Sequence, residues 1–388
     1  MKNHAYLGDY YMMGIVMNVQ EIDGELVATM PGVPAGYEIQ FEHIDGDKFR
    51  LRGGPIDGSR VEFSRNEDGQ VMALQAGGFE LAKVTPEKAA TLPFVERLTA
   101  PGLFLAPEKQ GAFQNLLDFI IENKNGGWID YDLPYPRHEF VQYVMALDIF
   151  IFHGSNRQDI ETFAPVRASV ELYDKRGIGN LQAVYGTHDG LWAMFFAVVN
   201  RGQLRGSIRN GVMYFHNRAG EQLAMYNFSI NQEQLAEKPW TEGALYFLPR
   251  DTFERQWLTD ESYANEWASH EPVEPIARLH MDPADFPFLE KIGGHDDGLH
   301  LRARTLAETV RTVAVAASLE GARFAVTLPN SAEMAQVLDD FIEIQRVLMP
   351  ACQFDVQESE AGLRMVIDAL PPAFHQVFKN TYVELLDE

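Results

Sequence analysis

The stretch FHGSN at residues 152–156 decides how the central part of this chain folds. It ends an apolar run that begins at Val144, so a histidine leads directly into Gly-Ser, where the backbone can turn tightly and offer N–H groups to a ligand. About thirty residues later, the segment AVYGTHD at 183–189 presents a tyrosine, a threonine and a histidine, and an aromatic helix-like run follows at 191–197. The two segments predict neighbouring strands that share one site.

This pair of segments resembles the first strands of the ADP-ribosyltransferase-like fold, and a bacterial family with the same His-Gly-Ser-Asn and Val-Tyr-x-Thr pattern. In that fold a strand-borne His-Gly and a Tyr or Thr on the next strand clamp a nicotinamide dinucleotide. The resemblance implies NAD as a substrate, with His153 on the ribose and the Gly154 backbone on the nicotinamide amide. It also implies a stacking ring at Tyr185 and hydroxyl partners at Thr187 and Ser155.

Catalysis in that fold commonly needs a late glutamate that stabilises an oxocarbenium-like transition state by its charge. Glu242 and Glu254 are the candidates, although neither lies in a diagnostic motif, and we take Glu254 as the catalytic one. Relatives of RNA 2′-phosphotransferase use arginines instead. The predicted catalytic residues are His153, Tyr185, Thr187 and Glu254, and the predicted NAD contacts are His153, Gly154, Ser155, Tyr185, Arg167 and Arg205.

Several of these residues also have an ordinary structural explanation. A histidine at the end of a buried strand is commonly just hydrogen-bonded, and an aromatic residue in an apolar run commonly packs in a sheet. The arginines of the acid-free stretch 190–220 can pair with acidic neighbours instead of phosphate. The alternative function is therefore a non-enzymatic scaffold or interaction protein with a degenerate transferase-like core.

Composition narrows the classes of partner. The 388 residues carry a formal net charge of −24, which disfavours general nucleic-acid binding and docking on anionic lipid. A single cysteine excludes an internal disulfide, and His188-Asp189 and His295-Asp296-Asp297 do not form a metal-ligand motif, so we expect no metal. The N-terminus lacks the apolar core of a signal peptide, and no window is long enough for a membrane span. We expect a cytoplasmic protein that binds a nucleotide-derived small molecule and an unidentified protein partner.

The remainder of the chain predicts flanking modules and an α+β multidomain fold. Residues 1–85 alternate short apolar runs with Asp-Gly turns, which predicts an antiparallel β-meander or barrel-like domain. This order is similar to the accessory domain of β-lactamase-like serine hydrolases, which usually carries no catalytic residues. Residues 86–127 predict a helical connector, and residues 128–300 the transferase-like α+β domain.

Residues 301–388 contain a weak internal repeat. The segment 320–329 resembles 361–371, and each copy predicts strand, glycine turn, strand and then helix. Two such ββα units would build a four-stranded sheet covered by two helices. This domain contains no catalytic pattern, so we expect an interaction module that is compatible with a homodimer.

Overall fold

A computed structural model describes residues 3–12, 14–76, 79–90, 96–123, 126–169, 181–204, 207–258, 261–348, 352–359, 362–370 and 378–383. The chain divides into two compact units, Met1–His295 and Asp296–Glu388. The combination of sheets and helices confirms the predicted α+β class. None of the helices in the described ranges has both the length and the apolar character needed to cross a membrane.

The first unit begins with a closed antiparallel barrel whose eight strands follow one another in sequence. The strands are β1 (Gly8–Met12), β2 (Ile15–Ile22), β3 (Glu25–Thr29), β4 (Ile39–Asp45), β5 (Lys48–Arg52), β6 (Arg60–Arg65), β7 (Val71–Ala76) and β8 (Phe79–Val84). Strand β8 closes the barrel on β1, where Val84 lies opposite Asp9. Asp23 and Gly24, between β2 and β3, have positive φ values of 53° and 80°, as a two-residue Asp-Gly hairpin requires. The predicted barrel-like domain is therefore confirmed.

The remainder of the first unit contains eleven strands among the described residues. They are β9 (Leu98–Thr99), β10 (Phe150–Ser155), β11 (Arg167–Ser169), β12 (Leu181–Thr187), β13 (Ile208–His216), β14 (Gln222–Asn231), β15 (Gly243–Pro249), β16 (Glu254–Trp257), β17 (Tyr263–Ser269), β18 (Ala277–Met281) and β19 (Gly293–His295). The main sheet has the order β16-β17-β12-β10-β15-β18, with β11 paired to β12. A smaller sheet contains β13, β14 and β19, with β9 paired to β14.

Five helices accompany these sheets in the described part of the first unit. They are α1 (Pro86–Ala89), α2 (Pro107–Asn123), α3 (Arg137–Met145), α4 (Gly190–Val198) and α5 (Gln232–Leu235). Short 3₁₀ turns lie at Asn3–Ala5, Arg250–Thr252, Pro283–Asp285 and Leu289–Lys291. Helix α2 buries Phe113, Leu117 and Ile120 on one face, which confirms the helix predicted from their spacing.

Helix α4 packs between the two sheets of the first unit. It begins at the side chain of Asp189, which accepts a hydrogen bond from the amide of Trp192 at 2.8 Å. Its apolar residues join one core with Phe152 of β10 and Phe247 of β15. The opposite face of the main sheet forms a separate core, which includes Ile151 and Tyr246.

The barrel is completed by residues from the smaller sheet. Phe215 near the end of β13 and Met225 on β14 are buried in the barrel core. The amide of His216 donates to the carbonyl of Gly53 at 2.8 Å, and Arg218 forms an ion pair with Glu25. The β13–β14 hairpin therefore belongs to the barrel core as well as to the smaller sheet.

The second unit contains a four-stranded antiparallel sheet in the order β20-β21-β23-β22. Its elements are α6 (Gly298–Val313), β20 (Ala316–Glu320), β21 (Arg323–Leu328), α7 (Ala332–Leu348), β22 (Gln353–Ser359), β23 (Gly362–Asp368) and a π-helical turn at Lys379–Val383. Both predicted hairpins and the first helix of the repeat are present. Much of the predicted second helix lies outside the described residues.

Candidate functional site

The main sheet is split between the two strands that carry the predicted site. Among the described residues, β10 and β12 pair at one position, Phe152 opposite Thr187. Each strand pairs more extensively on its other side, β10 with β15 over six positions and β12 with β17 over four. The sequence motif FHGSN therefore lies beside a gap in the sheet.

His153 spans this gap. Its Nδ1 lies 2.7 Å from the carbonyl oxygen of Tyr185. A carbonyl can only accept, so Nδ1 carries the proton in this contact. The imidazole also packs at 4.8 Å from the ring of Phe163. His153 is therefore fixed in orientation by the backbone of the neighbouring strand.

The side chains of Tyr185 and Thr187 lie on the other face of the sheet from His153. Thr187 lies opposite Phe152, so the two side chains share a face, and Tyr185 shares it at a spacing of two residues. Tyr185 is 7% exposed. The hydroxyl of Thr187 donates to the carbonyl of Asn265 at 2.9 Å and accepts from the amide of Asp189 at 3.0 Å. In this arrangement it is the backbone of Tyr185 that meets His153.

Gly154 is the point at which α4 crosses β10. A Cβ atom added to Gly154 would lie 1.8 Å from the carbonyl oxygen of Ala193. The same holds on the next strand, where a Cβ at Gly243 would lie 2.1 Å from the carbonyl oxygen of Ala197. These two glycines allow helix and sheet to pack with their backbones in contact. On this face, Gly154 is covered by the helix.

The remaining predicted residues are dispersed. The hydroxyl of Ser155 accepts from the amide of Arg157 at 3.1 Å, which begins a turn. Glu254 is exposed at the start of β16, at the far edge of the main sheet. The backbone of Arg167 lies in β11, and Arg205 falls outside the described residues.

The second candidate glutamate, Glu242, lies in a groove at the end of β10. The groove has a volume of about 610 Å³ and is lined by Asn156, Gln158, Trp240, Thr241, Glu242, Asp282 and Pro283. Asn156, the last residue of the FHGSN motif, donates its side-chain amide to the carbonyl of Ala197 at 2.9 Å. The motif therefore ends at an open, polar groove.

Three adjacent strands place a row of polar side chains on one face of the sheet. His153 of β10 lies opposite Tyr246 of β15, which lies opposite Arg278 of β18. In the next row, Ser155 lies opposite Ala244, which lies opposite His280. Directly opposite residues of an antiparallel pair share a face, so all of these side chains lie on the side of His153.

Sequence reasoning missed Arg278 and His280. Residues 277–281 alternate buried and half-buried positions in β18. The same alternation of apolar and polar residues is visible in the sequence and predicts a strand with both basic side chains on one face. The strand lies in a stretch that also contains Pro272, Pro275 and Pro283.

The segment 157–163 covers this row. The hydroxyl of Tyr246 donates to the carbonyl of Arg157 at 2.8 Å and accepts from the amide of Ile160 at 3.1 Å. Burial raises the pKa of Tyr246, so it remains a neutral donor at physiological pH. Phe163 anchors the end of the segment by pairing with Val273.

A buried polar cluster lies at the start of α4. The carboxylate of Asp189 accepts from the hydroxyls of Tyr214 at 2.7 Å and Tyr226 at 2.9 Å, in addition to the amide of Trp192. Burial and the neighbouring Asp189 raise the pKa values of both tyrosines. Burial lowers the pKa of His188, whose ring stacks on Tyr214 at 5.4 Å. This cluster connects helix α4 to the β13–β14 hairpin.

Comparison with protein-family models, with curated proteins and with solved structures finds no match to this chain. Within the described ranges, no three His, Cys, Asp or Glu residues are grouped so that they could hold a metal ion.

Proposed function

We propose that the chain binds a nicotinamide dinucleotide on the His153 face of the main sheet and cleaves its nicotinamide–ribose bond. The observation that carries the proposal is the relation between His153 and Glu242. His153 lies on β10, and Glu242 immediately precedes the neighbouring strand β15. Glu242 comes two residues before Ala244, so continued strand alternation would place its side chain on the face of Ser155 and His153. A groove of about 610 Å³ opens at Glu242 and Asn156.

This arrangement supports Glu242, rather than Glu254, as the catalytic glutamate. Two strands, β17 and β12, separate β16 from the strand of His153, whereas β15 is its direct neighbour. The side chain of Glu242 is 60% exposed and lies 3.7 Å from Nε2 of His280. An accessible carboxylate in a groove can meet a ligand that enters from solvent.

The reaction is a displacement at the anomeric carbon of the ribose. The C–N bond to nicotinamide breaks, and its electron pair remains on the ring nitrogen. A nucleophile, water or an acceptor group, forms the new bond to the carbon and releases its proton. Positive charge develops on the ribose in the transition state, and the Glu242 carboxylate stabilises it. His153, whose Nδ1 lies 2.7 Å from the Tyr185 carbonyl, would contact the ribose with its imidazole.

The test is calorimetric titration of NAD and ADP-ribose, combined with a measurement of nicotinamide release. We expect His153→Ala to abolish binding of both ligands. We expect Glu242→Gln to retain binding and to lose about 10²- to 10³-fold in cleavage, as for other groups that act on transition-state charge. Glu274→Gln, which changes an exposed glutamate elsewhere in the same unit, is the control.

Two results would contradict the proposal. If a folded wild-type sample gives no binding heat with either ligand, the protein does not bind the dinucleotide and the proposal is wrong. Loss of cleavage in Glu254→Gln, with full activity in Glu242→Gln, returns the catalytic role to Glu254.

A second candidate function is the non-enzymatic interaction protein. It is favoured by the covering of Gly154 by α4 and by the 7% exposure of Tyr185, because both residues are then committed to packing. On this reading the main sheet is a scaffold that has lost its ligand. It predicts that neither NAD nor ADP-ribose changes the thermal stability of the protein.

A further inference from the structure

Arg278 is a partly buried arginine whose hydrogen bonding is incomplete. One terminal nitrogen donates to the carbonyl of Gln158 at 2.8 Å. The guanidinium lies 4.8 Å from the ring centroid of Trp128. Its Nε is buried, and no described residue accepts a hydrogen bond from it. A buried donor without an acceptor is costly, so this one indicates a missing partner.

The charge of Arg278 is also unmatched. The protein carries 56 acidic residues against 32 basic ones. Two other half-buried arginines pair with them, Arg137 with Asp285 at 3.1 Å and Arg250 with Asp148 at 3.1 Å. Within the described ranges, Arg278 forms no ion pair with a carboxylate. In so acidic a chain, an unpaired arginine inside the fold favours an external anion as its counter-charge.

The surroundings of Arg278 indicate where that anion would lie. Arg278 is in the same row as Tyr246 and His153, and two strand spacings of about 4.8 Å place it about 10 Å from His153. The carbonyl oxygens of Gln158 and Arg157 now accept from Arg278 and Tyr246. Phosphate oxygens could replace these two backbone oxygens as acceptors for the Arg278 guanidinium and the Tyr246 hydroxyl.

We propose that Arg278, stacked on Trp128, binds a phosphoryl group, and that the segment 157–163 moves aside when the ligand enters. A guanidinium fork matches two phosphate oxygens, which supplies both the charge and the acceptor that Arg278 lacks. For the rest of the ligand this inference rests on the proposed function. If that function is correct, Arg278 binds the diphosphate of the dinucleotide whose ribose lies at His153.

The experiment titrates inorganic pyrophosphate and ADP-ribose into the full chain. We expect Arg278→Gln to weaken both ligands at least tenfold, and Arg278→Lys to recover part of the loss because it keeps the charge without the fork. Arg250→Gln is the matched control, since Arg250 stacks on Trp267 at 4.6 Å outside the row of His153, and we expect it to bind as wild type.

A second measurement needs no substitution. Hydrogen exchange on the wild type should become faster at the amide of Ile160 when pyrophosphate binds, because the Tyr246 hydroxyl that now accepts from it moves to the ligand. Unchanged exchange at Ile160 in a saturated sample would overturn the displacement of the segment.

The two proposals fail in different ways. If NAD is cleaved and Arg278→Gln binds pyrophosphate and ADP-ribose as wild type does, the phosphoryl site is wrong and the proposed function stands. If pyrophosphate binds through Arg278 but NAD is neither bound nor cleaved, the phosphoryl site stands and the proposed function is wrong. Failure of the folded wild type to bind pyrophosphate overturns the site directly.

Discussion

The hydroxyl of Tyr214 donates to Oδ2 of Asp189 at 2.7 Å, and this contact joins the start of α4 to the hairpin that enters the barrel. Asp189 is fully buried, and its carboxylate also accepts from Tyr226. Helix α4 covers Gly154 on the main sheet. The position of α4, on the face of the main sheet opposite to the proposed site, therefore depends on a carboxylate that is held by two strands of the smaller sheet.

Replacement of Asp189 tests this dependence. We expect Asp189→Asn to lower the free energy of unfolding by about 1.5–3 kcal/mol, because an amide replaces a charged acceptor of two hydroxyls. Urea denaturation measures the change. Asp9→Asn is the control, since Asp9 accepts from Asn18 at a half-buried position of the barrel, and we expect a smaller loss there. Equal losses in the two variants would contradict the prediction.

Replacement of Gly154 tests the contact between helix and strand. In Gly154→Ala the new methyl would lie 1.8 Å from the carbonyl oxygen of Ala193, so α4 has to move away from β10. We expect a loss of about 3 kcal/mol or more in the free energy of unfolding. In Gly211→Ala the methyl would lie 3.6 Å from the side chain of Asn227, an ordinary contact, and stability should change little. Thermal denaturation of both variants measures these changes. An unchanged stability of Gly154→Ala would contradict the prediction and show that α4 can shift without cost.

The pH dependence of stability tests His188. Burial lowers its pKa in the folded protein, so the unfolded chain takes up a proton near pH 6.5 that the folded chain binds only at lower pH. The unfolded state binds more protons in that interval, and the free energy of unfolding therefore falls as the pH drops below about 6.5. Above that pH the contribution of His188 is constant.

We expect His188→Phe to flatten this decline on the acid side, as measured by urea denaturation across pH 5 to 8. His138 provides the comparison, because burial lowers its pKa as well and His138→Phe should remove a separate share of the slope. An unchanged slope in His188→Phe would mean that His188 binds protons equally in both states.

The shared core of hairpin and barrel predicts cooperative unfolding. Phe215→Ala should cost about 3–5 kcal/mol, since it empties a buried aromatic position. All five tryptophans lie between residues 128 and 267, so tryptophan fluorescence reports that part of the first unit and hydrogen exchange of barrel amides reports the barrel. We expect the global protection of both regions to change together in Phe215→Ala. A loss confined to one region would contradict a common unfolding unit.

The barrel was predictable because its signals are local. Alternating residues and Asp-Gly turns such as Asp23-Gly24 specify hairpins, and successive hairpins generate a meander. The contribution of Phe215 to its core was not predictable, since that contact joins distant segments of the chain and periodicity contains no information about it. The same applies to the tie between Asp189 and Tyr214.

Only part of the candidate site could be predicted. The motif at His153 correctly indicated a strand, and the run after Asp189 correctly indicated a helix. The sequence could not assign side chains to the two faces of the sheet. The register of β10 against β12 determines that the side chains of Tyr185 and His153 lie on different faces. The sequence offered both Glu242 and Glu254 and we took Glu254, whereas the order of strands favours Glu242.

Because the barrel and the β13–β14 hairpin share one core, we expect them to be inherited together. The last barrel strand ends at residue 84, yet the hairpin that fills its core begins at residue 208. A recombination break point between these positions would separate the barrel from the hairpin. One product would have a barrel core without Phe215 and Met225, and the other would expose these two apolar side chains to water. A chain that carried this hairpin beside a different N-terminal domain would therefore be expected to have other residues at positions 215 and 225.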